Sequence, residues 1–232
     1  MAGEPAGDTA MTALPPDYDD DPQRWQSLDR SWQAFGDVHE PVAARIAAER
    51  LAPVIDVGGG DGQLGRCLPA GWPLVVVDTS PAQLARGAHL KAQGDAGQLP
   101  IGAETAGAVC MLWMLYHLDT PVEAIREAKR ALRPGGLFVA STSARDSCPE
   151  LTDGYPPSTF DAEEAEDLVA AVFERVETER WDAPMTHLVD EEAVKRFCRA
   201  HQLPPEAADR VSAPVWLTMR GCLVWARKPL DM

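Results

Sequence analysis

Residues 54–62 read Val-Ile-Asp-Val-Gly-Gly-Gly-Asp-Gly, and this run constrains the fold more than any other feature of the chain. A short apolar stretch behind Pro53 has the pattern of a strand buried on both faces. The glycines at 58, 59, 60 and 62 follow at once, and a helix opens near Gln63. Glycine lets the backbone turn sharply and lets a ligand approach it closely. A strand, a glycine turn and a helix in that order put free N–H groups at the carboxyl end of a strand, where open α/β sheets hold their ligands.

The flanking sequence supplies the rest of such a sheet. PLVVVD (73–78), AGAVCMLW (106–113) and LFVAST (137–142) are further apolar strands. Ser80 and Pro81 open a helix over 81–90 as N-cap and first-turn residues. Thr120 and Glu123 form a capping box around Pro121, opening a helix to Leu132 that Gly135 and Gly136 close. Strands separated by helices give a doubly wound, Rossmann-like, mainly parallel α/β sheet with helices on both faces.

The two ends differ from this middle. Residues 1–21, rich in Pro, Gly, Ala and Asp, read as a disordered acidic tail. Trp25, Leu28, Trp32 and Phe35 recur at helical spacing over 22–36, and a second helix is expected from Pro41 to Leu51. Together residues 22–52 form a helical lid, and 53–232 form the core. In the last third Asp161, with Glu164 three residues on, is expected to cap a helix over 161–173. FERVETERW (173–181) reads as a strand, a helix runs from Asp190 to His201 within a helical insertion at about 184–213, and 214–228 is the terminal strand.

Charge narrows the partners. Thirty-six acidic against 21 basic residues leave a net charge of −15, which repels phosphate backbones and anionic membranes. Neither nucleic acid nor membrane is therefore expected as a partner; a small-molecule acceptor is, and the protein is expected as a monomer or homodimer. The five cysteines are odd in number and contain no CxxC, which suits a reducing, cytoplasmic compartment. No secretory leader pattern opens the chain and no metal motif occurs; Cys198 and His201 alone do not make a site.

Two cofactors compete for the glycine turn. GDGQLG (60–65) matches GxGxxG, the dinucleotide fingerprint. Counted from Gly58, directly after the strand, the third glycine comes one residue early, a tighter turn that suits a cofactor with no phosphate there. IDVGGGDG resembles the first motif of the class I S-adenosylmethionine (SAM)-dependent methyltransferases, through Asp56, Gly58, Gly60 and Gly62, with Gly59 at the variable middle position. The resemblance continues in order through VVVDTSPAQL (75–84), GDAGQLP (94–100), CMLWMLYHLDTP (110–121) and LRPGGLFVAS (132–141), within the small-molecule and ubiquinone-methyltransferase-like group. It implies a seven-stranded sheet with an antiparallel last strand and SAM as methyl donor, released as S-adenosylhomocysteine. It also implies cofactor contacts from the glycine loop with Asp56, from Asp78 and Thr79 to the ribose hydroxyls, from Asp95 and Ala96 to adenine, and from Met111, Leu112 and Trp113. An anion at Asp78 accepts two vicinal hydroxyls and repels a 2′-phosphate, which argues against NADP.

Methyl transfer to a hydroxyl gains from a base, and His117, just past the fourth strand of the motif order, is the first candidate. Its alternative is a structural histidine hydrogen-bonded at the strand end. His39, beside Glu40, is the second candidate, as a residue orienting the acceptor or cofactor or as a helix-entry residue. Trp32, Tyr116, Asp146 and Tyr155 are candidate acceptor contacts, the last two from the long loop over 143–160. His187 is a weaker candidate for the pocket; His89 and His201 read as surface helix residues. The expected reaction is O-methylation of a saccharide or other secondary metabolite. Alternatives are methylation of a small amine or of rRNA, a SAM-binding protein without catalysis, or an NAD oxidoreductase.

Overall fold

The computed structural model describes residues 33–34 and 37–230. Strand β1 is Gln33–Ala34, followed by α1 (His39–Ala48), β2 (Val54–Val57), α2 (Gln63–Cys67), β3 (Leu74–Asp78), α3 (Pro81–Arg86) and β4 (Leu90–Gln93). Then come β5 (Ala106–Leu112), α4 (Pro121–Ala131), β6 (Leu132–Ser143), α5 (Ala165–Ala170), β7 (Val176–Leu188), α6 (Glu191–Ala200) and β8 (Val215–Arg227). They form one sheet in the order β1-β7-β8-β6-β5-β2-β3-β4. The pairs from β6 to β4 are parallel, whereas β8 runs antiparallel to both β6 and β7. With the two-residue β1 set aside, this is the expected seven-stranded sheet with its antiparallel last strand.

The strands alternate side chains between two apolar layers, as the pleat requires. Ile55, Val57, Val109, Met111 and Phe138 pack with Ile125 and Ala128 of α4 on one face. Val54, Val76, Cys110, Leu112 and Val139 pack with Val42 and Ile46 of α1 and Leu64 of α2 on the other. All of β5 is buried, so the central strand carries no polar signal of its own. Arg45 fastens α1 to the far strands: it pairs with Glu49 and Glu177 and lies 4.4 Å over the Trp225 ring. A third apolar cluster, with Leu188, Val194, Phe197 and Leu217, lies where α6 packs on the ends of β7 and β8.

Several sequence expectations shift. Gln33 and Ala34, expected in a helix, pair instead with His187 and Thr186 at the edge of β7; the rest of that segment, and the tail, lie outside the described residues. The helix expected over 81–90 stops at Arg86, where Lys91 Nζ takes the carbonyls of Leu84 and Gly87, and β4 follows. Because β4 is almost wholly exposed, it has no apolar alternation to announce it. Ser80 caps α3 as expected, through Gln83 N–H at 3.1 Å. Thr120 instead donates its hydroxyl to the Glu123 carboxylate, 3.0 Å away, and does not cap the helix through its side chain.

Asp161 does not cap a long helix: its carboxylate accepts from Ser158 N and Oγ and closes the preceding turn, leaving α5 six residues long. β7 starts after Phe173, which is buried against Phe138, and runs to Leu188 through a bulge at Pro184. Proline is tolerated at such a bulge, and residues 184–188 therefore belong to the strand rather than to the helical insertion. Asp190 does cap α6, accepting from Ala193 N–H at 2.7 Å.

Candidate active site

The site grows from the glycine turn between β2 and α2. Gly58 has φ +66°, and a Cβ there would lie 2.8 Å from the Met114 side chain, so only glycine fits between the turn and the segment after β5. Gly59 lies over the Asp56 carboxylate, and Gly62, whose N–H bonds the Gly59 carbonyl, leads into α2 against His89. At Gly60, with φ +55°, the nearest atom to an added Cβ would be 3.9 Å away. Gly60 is thus bare backbone facing open space, the place on this loop where a ligand can lie against the chain.

Asp78, ending β3, holds that turn in place. One carboxylate oxygen accepts from Gly60 N–H and the other from Ser80 N–H, both at 2.9 Å. The glycine turn and the start of α3 are thereby tied to one carboxylate. Neighbouring Thr79 is exposed and gives its carbonyl to Gln93.

Asp56 is 3% exposed. Burial pushes its carboxyl up to about 7, opposed by His39 and reinforced by the charge of Asp78. His39, at the start of α1, is therefore within electrostatic reach of the loop. Its Nδ1 is bonded to Asp37, whose Oδ1 also accepts the His39 backbone N–H at 3.0 Å. Asp37 Oδ2 accepts from Gln63 Nε2 at 2.7 Å. Burial works to raise the Asp37 carboxyl, but the His39 and Gln63 bonds outweigh it and hold it at about 2. Asp37 thus clamps the entry to α1 onto the first residue of α2. Neither Asp37 nor Gln63 was singled out by sequence. The signal was present: an Asp two residues before a helix start is well placed to bond the backbone N–H there.

The segment after β5 forms the opposite wall. Met111 and Leu112 point into the two apolar layers. Trp113, at φ +57°, donates its N–H to Ser141 Oγ at 3.0 Å. Met114 meets Gly58, and a short turn over Leu115–His117 carries Tyr116 and His117 half-buried, their rings 4.5 Å apart. His117 therefore shares a segment with the residue that seats the glycine turn.

Exposed Asp95 follows β4 next to the end of β3, where Gly94 N–H bonds the Asp78 carbonyl at 3.1 Å; its carboxylate accepts from Gly97 N–H at 2.6 Å, and the Ala96 methyl sits in the core beside Leu99. The remaining candidates lie on other elements. Asp146 lies in an ion pair with Arg220. Tyr155 is turned toward Cys148 and Cys198, where burial raises its phenol, rather than toward the glycine loop. His187 stacks on Trp216 at the β7 edge. His201 ends α6, stacked on Phe197, and His89 lies beyond α3 against Gly62 and Gly65 rather than on a helix. Trp32, Trp25 and Phe35 lie outside the described residues.

Comparison with known proteins gives this architecture relatives. Residues 55–140 match the methyltransferase domain family. The chain is similar to malonyl-acyl-carrier-protein O-methyltransferase of Enterobacter lignolyticus, 30% identical over 122 residues that cover 50% of this chain and 49% of that protein. It is also similar to tRNA U34 carboxymethyltransferase of Chromohalobacter salexigens, 32% identical over 133 residues covering 51% of this chain and 38% of that one. The chain thus spans half or less of the length of these two relatives. Among solved structures, the cyclase SpnF shares the fold with TM-score 0.56, 20% identity and 83% and 82% of the two chains covered. The family match over residues 55–140 and the methyltransferase relatives together support a class I S-adenosylmethionine-dependent methyltransferase, with S-adenosylmethionine as the implied cofactor.

Proposed function

We propose that the protein transfers a methyl group from SAM to a hydroxyl of a small-molecule acceptor. The observation that carries this reading is the clamp of Asp78 on Gly60, beside the one stretch of the glycine turn that faces open space. The charges fit the cofactor. Three carboxyl groups, Asp56, Asp61 and Asp78, stand at the loop, Asp61 paired with Arg66, and residues 53–65 contain no Lys or Arg. That set suits a cationic ligand with a ribose diol and gives a diphosphate nothing to pair with. SAM supplies an activated methyl on a sulfonium. The chain has then to hold the acceptor in line, exclude water and receive a proton.

His117 is the proposed proton acceptor, at the rim of β5 and against Tyr116. Gly58 and Met114 fix the distance between its segment and the glycine turn. Asp37 holds His39 by Nδ1, which leaves Nε2 as the atom able to meet cofactor or acceptor. The net charge of −15 supports a small molecule over RNA.

Calorimetric titration with SAM and S-adenosylhomocysteine tests the cofactor. Saturable binding is expected, weakened by at least about tenfold in Asp78→Ala. No binding at about 1 mM ligand would refute the reading. Labelled-methyl transfer then tests catalysis: His117→Ala is expected to lose about 100-fold in turnover with SAM affinity unchanged. SAM binding without transfer to any hydroxyl compound would favour a non-catalytic SAM-binding protein.

A further inference from the structure

The glycine turn suits most of the cofactor but leaves one of its charges without a partner. SAM carries a sulfonium, an α-ammonium and an α-carboxylate. The carboxyl groups of Asp56, Asp61 and Asp78 suit the cations and the ribose diol. The α-carboxylate needs a positive donor, and residues 53–65 contain no Lys or Arg. Arg66, the next residue of α2, is turned to Asp61, with Nη2 3.1 Å from its carboxylate and Nη1 3.4 Å from its carbonyl. Sheet order gives the cofactor a direction. β4, β3 and β2 lie side by side and parallel, and Asp95, Asp78 and the glycine turn stand at their carboxyl ends in that order. With the ribose on Asp78 and the adenine on the β4 side, the amino-acid arm runs toward β2, where the Asp56 carboxyl lies beneath Gly59.

His39, the first residue of α1, stands at that end, close enough to act electrostatically on Asp56. It is held there as a donor. Its side chain is only 12% exposed, and its Nδ1 is bonded to Asp37. Asp37 also accepts the His39 backbone N–H at 3.0 Å and Gln63 Nε2 at 2.7 Å. The ring is thus pinned through Asp37 to the first residue of α2, the helix that grows out of the glycine turn. Asp37 is ionised at neutral pH, because its carboxyl is held at about 2. An anion on Nδ1 favours the imidazolium, and the other titratable groups beside the ring, Asp56 on β2 and Glu40 on α1, are acids as well. In the imidazolium both ring nitrogens donate. Among the described residues, Nε2 has no hydrogen-bond partner.

We propose that His39 binds the α-carboxylate of the cofactor as an imidazolium, through Nε2–H, and that Asp37 is the positioning residue for this contact. A charge-assisted bond from a fixed ring gives the carboxylate the positive partner that the glycine turn lacks. His39 is thereby assigned to the cofactor rather than to the acceptor. The proposal deepens the methyltransferase reading and rests on it, but the binding it claims is measurable without any methyl transfer.

The test is calorimetric titration of the full chain with S-adenosylhomocysteine and with its decarboxylated analogue, S-adenosyl-3-thiopropylamine. The analogue keeps the adenosine, the sulfur and the ammonium and lacks only the carboxylate. Wild type is expected to bind S-adenosylhomocysteine at least about tenfold more tightly than the analogue. His39→Asn should weaken S-adenosylhomocysteine by about tenfold or more and leave the analogue within about twofold, so that the preference disappears. Asp37→Asn keeps the imidazole but removes the anion on Nδ1, and should lose part of the same preference; a merely structural role for Asp37 would weaken both ligands equally. The wild-type comparison and Asp37→Asn keep the proposal open to refutation if His39→Asn fails to fold. Equal affinity of wild type for the two ligands, unchanged S-adenosylhomocysteine affinity in His39→Asn, or equal weakening of both ligands in that variant would overturn the proposal. If neither ligand binds at about 1 mM, the methyltransferase reading fails and the His39 assignment fails with it. If S-adenosylhomocysteine binds but without the preference, only the His39 assignment fails.

Discussion

Asp56 sets up a test in which stability, rather than activity, reports on the site. Its carboxyl is buried beneath Gly59 with its proton-binding range raised from 3.8 to about 7. The folded chain therefore binds a proton between pH 4 and 7 that the unfolded chain releases, so stability falls as pH rises through that window. Each pH unit is worth about 1.36 kcal/mol, so the whole window amounts to about 4 kcal/mol, and the part between pH 5 and 8 to about 2–3 kcal/mol. Water entry and relaxation around the carboxylate would reduce this by about half. Asp56→Asn carries no titrating proton and should remove the slope. Urea unfolding of wild type and Asp56→Asn at pH 5 and pH 8 measures the difference directly. The wild type should lose about 1–3 kcal/mol more than the variant over that interval. At pH 8 the variant should be the more stable of the two. Asp37 does not confuse the reading, because its carboxyl is held at about 2 and titrates below the window. Parallel profiles for the two proteins would show that Asp56 is ionised in the folded chain and that the loop holds a stabilised anion.

Two further outcomes follow from the same loop. Gly58→Ala puts a Cβ 2.8 Å from Met114 at φ +66°. It should cost about 1–3 kcal/mol in denaturant unfolding and weaken S-adenosylhomocysteine, and an unchanged midpoint would mean that the β5 segment yields freely. His39→Asn removes the ring that holds Asp37 near 2, against an ordinary 3.8. A depressed carboxyl adds stability above its unfolded range and loses it as pH falls. The variant should therefore lose about 1–2 kcal/mol at pH 5 and converge with wild type near pH 2; an equal deficit at both pH values would assign the loss to packing alone.

The sheet was legible in the sequence wherever both faces of a strand are covered. β2, β3, β5 and the 137–142 stretch of β6 are apolar runs because nearly all of their residues are buried, and the glycine turn marked the end of the first. Exposure hid the rest. β4 is almost wholly exposed and offers no alternation to read. The extension of β7 past Trp181 carries an exposed Asp182 and an exposed proline at a bulge, which look like a loop until β8 pairs with them. Length misled in the same way at α5, because the Asp161 carboxylate bonds backward to Ser158 instead of forward into the helix.

Side-chain roles were legible only as residue types, because a carboxylate has more than one use for its oxygens. Asp78 was expected as an acceptor for a ligand, and both its oxygens already bind backbone N–H groups. Those bonds do not compete with the proposed role; they prepare it. Gly60 at φ +55° faces open space, and Asp78 holds its N–H there. Asp95 differs in being exposed, and its bond to Gly97 closes a turn that needs no ligand to explain it. Both carboxylates thus hold turns at the carboxyl ends of parallel strands, Asp78 after β3 and Asp95 after β4, and residue type alone does not say which turn meets a ligand.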